Sequence, residues 1–346
     1  MKIKKILNNF RPYFVEEKDV VVRLDANESP YNLPDDLKKE LMEELSKIEI
    51  NRYPDAYIRD LRKVISEKEG IPEDCIIFGN GSDEFIYMLY IALEKGAKVA
   101  FPEPGFSMYR IVGNIFEMNL VPYHLNKVDY TVDKKNLEKV LKEGVDLIFL
   151  GNPNNPTGNI FPEEYLEMVL SNKNTIVVSD EAYFNYSKRT FLKFLEHNDN
   201  LLIMRSFSKV GFASIRLGYM MGNSNLINKV NMIRSPYNIN SFTQKIALFY
   251  FKYEAFFKSK IEKVISERER LYKFFQENNI FVIPSQSNFL TFKIEKSGFY
   301  EFLLDRGVRI KDLAPSFNMT NYYRVTVGTE RENDLFINSV KDFLSK

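Results

Sequence analysis

Arg205-Ser206-Phe207-Ser208-Lys209, with Arg216-Leu217-Gly218 shortly after it, is the stretch on which the reading of this chain turns. It follows the apolar run Leu201-Leu202-Ile203-Met204, so it begins where a buried strand ends. A lysine placed there can form a Schiff base with an aldehyde, and Ser206, Ser208 and Arg216 are donors suited to a phosphate. Hydroxyls and arginines beside a lysine are common in proteins. The stretch therefore takes its meaning from two segments upstream.

In Val177-Val178-Ser179-Asp180-Glu181-Ala182-Tyr183, β-branched residues lead into a carboxylate and then a phenol. A pyridoxal ring is a good electron sink only while its nitrogen stays protonated, and a buried aspartate facing that nitrogen favours the charged form. Tyr183 is placed to reach the ring hydroxyl. Asn152-Pro153-Asn154-Asn155-Pro156-Thr157-Gly158 follows the apolar run Leu147–Leu150. It is a loop at the carboxyl end of a strand, where open α/β sheets hold their ligands, although its composition also suits an ordinary turn.

The three segments, in the order asparagine loop, aspartate strand, lysine, resemble the fold-type I pyridoxal-phosphate enzymes of the aspartate aminotransferase superfamily. The resemblance implies an α/β fold in which a large domain with a mostly parallel central sheet is joined to a smaller α+β carboxyl-terminal domain. It implies that Asn155 and Tyr183 bond the ring hydroxyl, that Asp180 meets the ring nitrogen, that Lys209 is the Schiff-base lysine, and that Ser206, Ser208 and Arg216 hold the phosphate. Phe78-Gly79-Asn80-Gly81-Ser82-Asp83-Glu84 ends another apolar strand and opens a helical pattern. Such a turn offers N–H groups to a phosphate. By resemblance Gly81, Ser82 and Asp83 sit there; as plain helix chemistry, Ser82 or Asp83 is an N-cap. By the same resemblance Tyr109, in Phe101-Pro102-Glu103-Pro104-Gly105-Phe106-Ser107-Met108-Tyr109, stacks on the pyridine face.

Leu24-Asp25-Ala26-Asn27-Glu28-Ser29-Pro30-Tyr31 and Asn51-Arg52-Tyr53-Pro54-Asp55 narrow the resemblance to the histidinol-phosphate aminotransferase family. That family implies an amino group exchanged in ping-pong fashion between histidinol phosphate and 2-oxoglutarate. It implies a homodimer in which Tyr53 reaches the partner subunit's cofactor phosphate. Arg324, in Tyr322-Tyr323-Arg324-Val325-Thr326-Val327-Gly328, matches the arginine that takes a substrate carboxylate, and a guanidinium fork suits that group. Asn27 and Tyr13 are placed near the substrate by analogy alone. The chain departs from many relatives where they carry an arginine before the final loop and it reads Arg309-Ile310-Lys311. Lys311 then meets a substrate phosphate, or, with the register slipped by two, Arg309 does.

Composition bounds the answer without naming it. The chain has 346 residues, 45% of them hydrophobic, and a net charge of +1, so one or two domains with a sizeable core are expected and nucleic acid is not implied. No apolar run has the length of a membrane span or the form of a signal peptide. The single Cys75 excludes an internal disulfide and agrees with a reducing cytoplasm. His124 and His197 lie in no ligand spacing, so neither a metal site nor a serine–histidine triad is expected. Alternating strands and helices over residues 50–235 indicate a largely parallel sheet. A long amphipathic helix over 254–279 leads into strands near 281–283, 289–292 and 323–327. The expected division is an arm over 1–30 associated with the small domain, a large cofactor domain over 31–245 and a small domain over 246–346.

Other activities share every cofactor residue: an aromatic amino-acid aminotransferase, or a lyase such as threonine-phosphate decarboxylase. A non-catalytic pyridoxal-binding regulator would carry an added DNA-binding domain, for which the chain is expected to leave no room.

Overall fold

The computed structural model describes residues 3–9 and 20–346; Tyr13 lies outside them. Seven strands make the central sheet: β1 (Ile76–Asn80), β2 (Lys98–Ala100), β3 (Asn119–Leu120), β4 (Leu147–Gly151), β5 (Ile176–Asp180), β6 (Leu201–Ser206) and β7 (Leu217–Gly222), in the order β1-β7-β6-β5-β4-β2-β3. β7 runs antiparallel to both its neighbours, and every other pairing is parallel.

The apolar runs become strands because both faces of the sheet are covered. Successive side chains alternate: Ile148, Leu150, Leu201 and Ile203 enter one hydrophobic core, while Leu147, Phe149, Leu202 and Met204 enter another on the opposite face. The second core is closed by α1 (Ser82–Ala92) and α2 (Ser107–Ile115) through Phe85, Ile86, Leu89, Tyr109 and Val112.

This topology aligns the motifs. The parallel strands end at one edge of the sheet, so the residues that follow β1, β2, β4, β5 and β6 converge there. β7 begins at that edge, because the segment from Phe207 to Arg216 turns the chain back between β6 and β7; Phe207 N–H bonds Leu217 O at 3.0 Å.

The long helix α3 (Glu254–Glu277) leads to an antiparallel sheet of β8 (Val282–Ile283), β9 (Phe289–Lys293), β10 (Lys311–Asp312) and β11 (Tyr322–Thr326), ordered β8-β9-β11-β10. Phe275, Phe292, Phe299, Phe336 and Phe343 pack this smaller unit. The amino-terminal segment runs along it: Val22–Arg23 pairs in parallel with Val308–Arg309, and Thr326 N–H donates to Leu24 O at 2.8 Å. The two units meet at the asparagine loop, where Gln286 N–H donates to Gly158 O at 2.7 Å and the Thr291 hydroxyl bonds Pro156 O.

Candidate active site

Asp180 is the last residue of β5 and Ser206 the last of β6. Side-chain alternation then divides the work. Glu181 and Arg205 point away from the site and pair at 3.0 Å with both side chains at or near zero exposure; Glu69 joins at 2.8 Å, Thr190 donates to Glu181, and the guanidinium lies 3.7 Å from the Phe184 ring centroid. Burial opposes the Arg205 charge, but Tyr219, Glu181 and Glu69 hold its pKa above the ordinary value, while burial raises that of Glu181. This paired charge cluster ties the two strands together directly beneath the residues that face the site.

On the site side, the Asp180 carboxylate accepts from the Tyr109 hydroxyl at 2.5 Å and from the Ala182 amide at 3.1 Å. Burial pushes its pKa up to about 6 against those two hydrogen bonds, with Asp83 adding to the rise and Lys209 opposing it. A buried carboxylate held by neutral donors is complemented by a cation, so the position fits a protonated ring nitrogen. The Lys209 ammonium lies 5.6 Å from the Tyr183 ring centroid. The Tyr183 hydroxyl accepts from Asn27 Nδ2 at 2.9 Å.

The phosphate-type donors also assemble. Arg216 bonds Ser208 Oγ at 3.3 Å and Asp83 at 3.0 Å, and Ser208 N–H donates to Ser206 Oγ at 3.0 Å. Neither Ser82 nor Asp83 is the helix cap: Gly81 holds that place at φ 74°, ψ 173°, and α1 has no side-chain cap. Its first N–H groups are thereby offered to an anion. A Cβ on Gly81 would come within 2.5 Å of Arg216 Nη2, and one on Gly218 within 2.8 Å of Ser82 N. Two glycines thus let the Gly81–Ser82 turn, Arg216 and β7 approach closely enough to make a cradle. A lysine, a buried acid with no cation in contact among the described residues, and a cradle of donors fit an aldehyde bearing a phosphate and a basic ring nitrogen.

Arg324 is buried on β11, where it bonds Asn155 Oδ1 and donates to Asp25 O at 2.8 Å. Lys311 lies directly opposite it on β10, so the two cations share a face. Arg309 is instead buried in the parallel pairing with Arg23.

Three sequence expectations meet different surroundings. Tyr109 is 1% exposed and its ring already stacks on Phe149 at 4.3 Å and 11°, which leaves its hydroxyl, not its face, for the site. Phe106, half-buried and edge-on to Tyr109 at 5.6 Å, is the aromatic with a partly open surface; its place after Pro104 was the signal in the sequence. Asn27 is also 1% exposed, with its amide engaged by Tyr183 and Thr326. Tyr53 is 80% exposed and stacks on Tyr237 at 4.5 Å. The sequence alone did not reveal the pairing of Glu181 with Arg205, although each stands beside a site residue in its motif, nor the part played by Thr326.

Residues 19–340 match the family described as aminotransferase class I and II. The chain is 38% identical over 341 residues to the histidinol-phosphate aminotransferase of Pyrococcus furiosus, covering 98% of this chain and 97% of that protein. It is 34% identical over 348 residues to that of Caldanaerobacter subterraneus, covering 99% of each. Among solved structures it resembles the histidinol-phosphate aminotransferase from Sinorhizobium meliloti in complex with pyridoxal-5'-phosphate, with a TM-score of 0.87, 21% identity and coverage of 99% of this chain and 98% of that one. It also resembles the L-threonine-O-3-phosphate decarboxylase from Porphyromonas gingivalis, with a TM-score of 0.80, 23% identity and coverage of 94% and 100%. With residues that fit an aldehyde-phosphate cofactor and this full-length likeness, the chain belongs to the class I and II aminotransferases, and within them to the histidinol-phosphate aminotransferase family.

Proposed function

We propose that this protein is a pyridoxal-phosphate-dependent aminotransferase that moves the amino group of histidinol phosphate to 2-oxoglutarate, a step of histidine biosynthesis. The observation that carries the reading is the convergence of Lys209, Asp180 and the Gly81–Arg216 cradle at one sheet edge, beside two cations on β10 and β11. The cofactor, when bound, supplies the electron sink and carries the amino group.

The chain's own residues have these roles. Lys209 supplies the amine that holds the aldehyde and, once displaced, moves the proton at the substrate carbon. Asp180 holds the ring nitrogen's proton, and Tyr109 acts through Asp180. Tyr183 and Asn155 bond the ring hydroxyl, and Phe106 offers its half-buried face beside the ring. Ser206, Ser208, Arg216 and the N–H groups at Gly81, Ser82 and Asp83 hold the phosphate. Arg324 takes a substrate carboxylate and the adjacent Lys311 a substrate phosphate.

The working unit is a homodimer, with Tyr53 completing the partner's phosphate seat. Supporting it, Tyr53, Tyr57, Met232, Tyr237 and Phe242 leave aromatic and apolar surface exposed, which an association face explains. The pairing of Val22–Arg23 with Val308–Arg309 supports assigning the amino-terminal arm to the small domain. The single cysteine supports a cytoplasmic location.

The test is the absorbance of protein loaded with pyridoxal phosphate. A visible band is expected, lost on Lys209→Ala, and converted by histidinol phosphate without keto acid to the near-ultraviolet band of the aminated cofactor. A band that histidinol phosphate leaves unmoved overturns the donor assignment. Carbon dioxide released from threonine phosphate would select the decarboxylase instead.

A further inference from the structure

Asn27 joins three parts of the molecule that the site needs in register. It belongs to the amino-terminal segment, sits at φ 55° and is 1% exposed. Its backbone N–H donates to Thr326 Oγ1 on β11 at 2.9 Å, and its backbone oxygen accepts from Asn288 Nδ2 at 3.0 Å. Its side chain reaches both Thr326 and Tyr183.

The direction of each bond follows from donor chemistry. A backbone N–H can only donate, so Thr326 Oγ1 accepts from Asn27 N and has its own proton to place. That proton goes to Asn27 Oδ1 at 3.3 Å. The amide is thereby oriented, its Nδ2 is the atom facing Tyr183, and Nδ2 has only hydrogens to give. The Tyr183 oxygen is therefore the acceptor at 2.9 Å, and the tyrosine's hydrogen is turned away from Asn27. The Lys209 ammonium lies 5.6 Å from the Tyr183 ring centroid, and the Phe289 ring packed edge-on to Tyr183 at 5.2 Å has the Arg324 guanidinium 5.3 Å from its centroid.

We propose that Asn27 and Thr326 are positioning residues that hold Tyr183 as a hydrogen-bond donor toward the cofactor's ring oxygen. This rests on the cofactor reading above and deepens it. Thr326 belongs to the small unit and Tyr183 to the large one, so the donor is aimed only when the arm and both units are docked. A fixed donor at the ring oxygen draws off its negative charge. Without it, that oxygen holds the proton of the lysine–cofactor link more tightly.

The experiment is a pH titration of the visible band in protein loaded with pyridoxal phosphate, for wild type, Thr326→Val, Thr326→Ser and Asn27→Asp. Valine keeps the branched shape and removes the hydroxyl, so the band's midpoint is expected to rise by roughly one pH unit, the size of a lost hydrogen bond to a charged group. Serine restores the hydroxyl and is expected to return the midpoint to that of wild type. Asn27→Asp replaces the donor with an acceptor and is expected to raise the midpoint at least as far as valine does. A valine midpoint equal to that of wild type overturns the proposal. A wild-type protein that forms no visible band overturns the cofactor reading instead, so the two failures are distinct.

Discussion

The Tyr109 hydroxyl donates to Oδ2 of Asp180 across 2.5 Å, and both residues are buried. The bond joins the helix that follows β2 to the carboxylate that ends β5. It opposes the burial that drives the Asp180 pKa upward.

One prediction concerns proton linkage at this pair. Asp180 titrates near 3.8 in an unfolded chain and near 6 when folded. A raised folded pKa means the native state binds the proton more tightly, so its stabilising contribution is complete below about pH 4 and lost as pH rises through about 6. Cofactor-free protein is expected to lose on the order of 3 kcal/mol across that window relative to Asp180→Asn. Tyr109→Phe removes a donor that lowers the pKa, so the loss should extend to higher pH. Urea unfolding at a series of pH values checks both statements, and curves parallel to that of Asp180→Asn would refute them.

A second concerns the charges beneath the site. Arg205→Met leaves both Glu181 and Glu69 without the cation they share, and a broken buried pair costs about 3–5 kcal/mol. Adding Glu181→Gln removes the more deeply buried of the two stranded charges and should recover part of that stability. Denaturant midpoints of the single and double variants test this. A double variant as unstable as the single one would mean that packing, not the unpaired charge, set the cost.

A third isolates the phosphate cradle. Gly81 holds φ 74°, ψ 173°, a region closed to other residues at a cost of about 1–3 kcal/mol. The Cβ of Gly81→Ala also displaces Arg216, whose Nη2 would lie 2.5 Å away. Affinity for pyridoxal phosphate, followed by fluorescence, should fall about tenfold or more, as a lost charged hydrogen bond implies. Unchanged affinity would show that the close approach of Gly81 to Arg216 is not needed to hold the phosphate.

A fourth tests the shared site. Tyr53→Phe and Lys209→Ala proteins, each expected to be inactive when assayed alone, are mixed and allowed to exchange subunits. If Tyr53 serves the partner's site, half of the dimers are hybrids with one intact site, giving about a quarter of wild-type activity. If it serves its own subunit, hybrids regain nothing.

Much of the candidate site was legible because the residues proposed for it lie in contiguous motifs. Lys209, Asp180 and Asn155 each follow an apolar run, and a run of that kind between turn signals marks a strand whose end is a loop. Tyr109 and Asn27 were harder to read. Each lies in a quotable motif, but whether an aromatic ring offers its face or its hydroxyl depends on what already covers the face, here Phe149. Whether an amide meets substrate depends on which partners have consumed it, here Tyr183 and Thr326.

The amino-acid sequence by itself determined which stretches become strands, which chemistry sits at their ends, and the family, because hydrophobic period and motif residues are local properties of the chain. The placement of β7 between β1 and β6, the sharing of a face by Lys311 and Arg324, and the pairing of Arg205 with Glu181 and Glu69 were decided only in the tertiary structure. Each depends on register or packing between segments far apart in the chain. One residue of slip in a strand moves a side chain to the opposite face, so no local pattern specifies those partners.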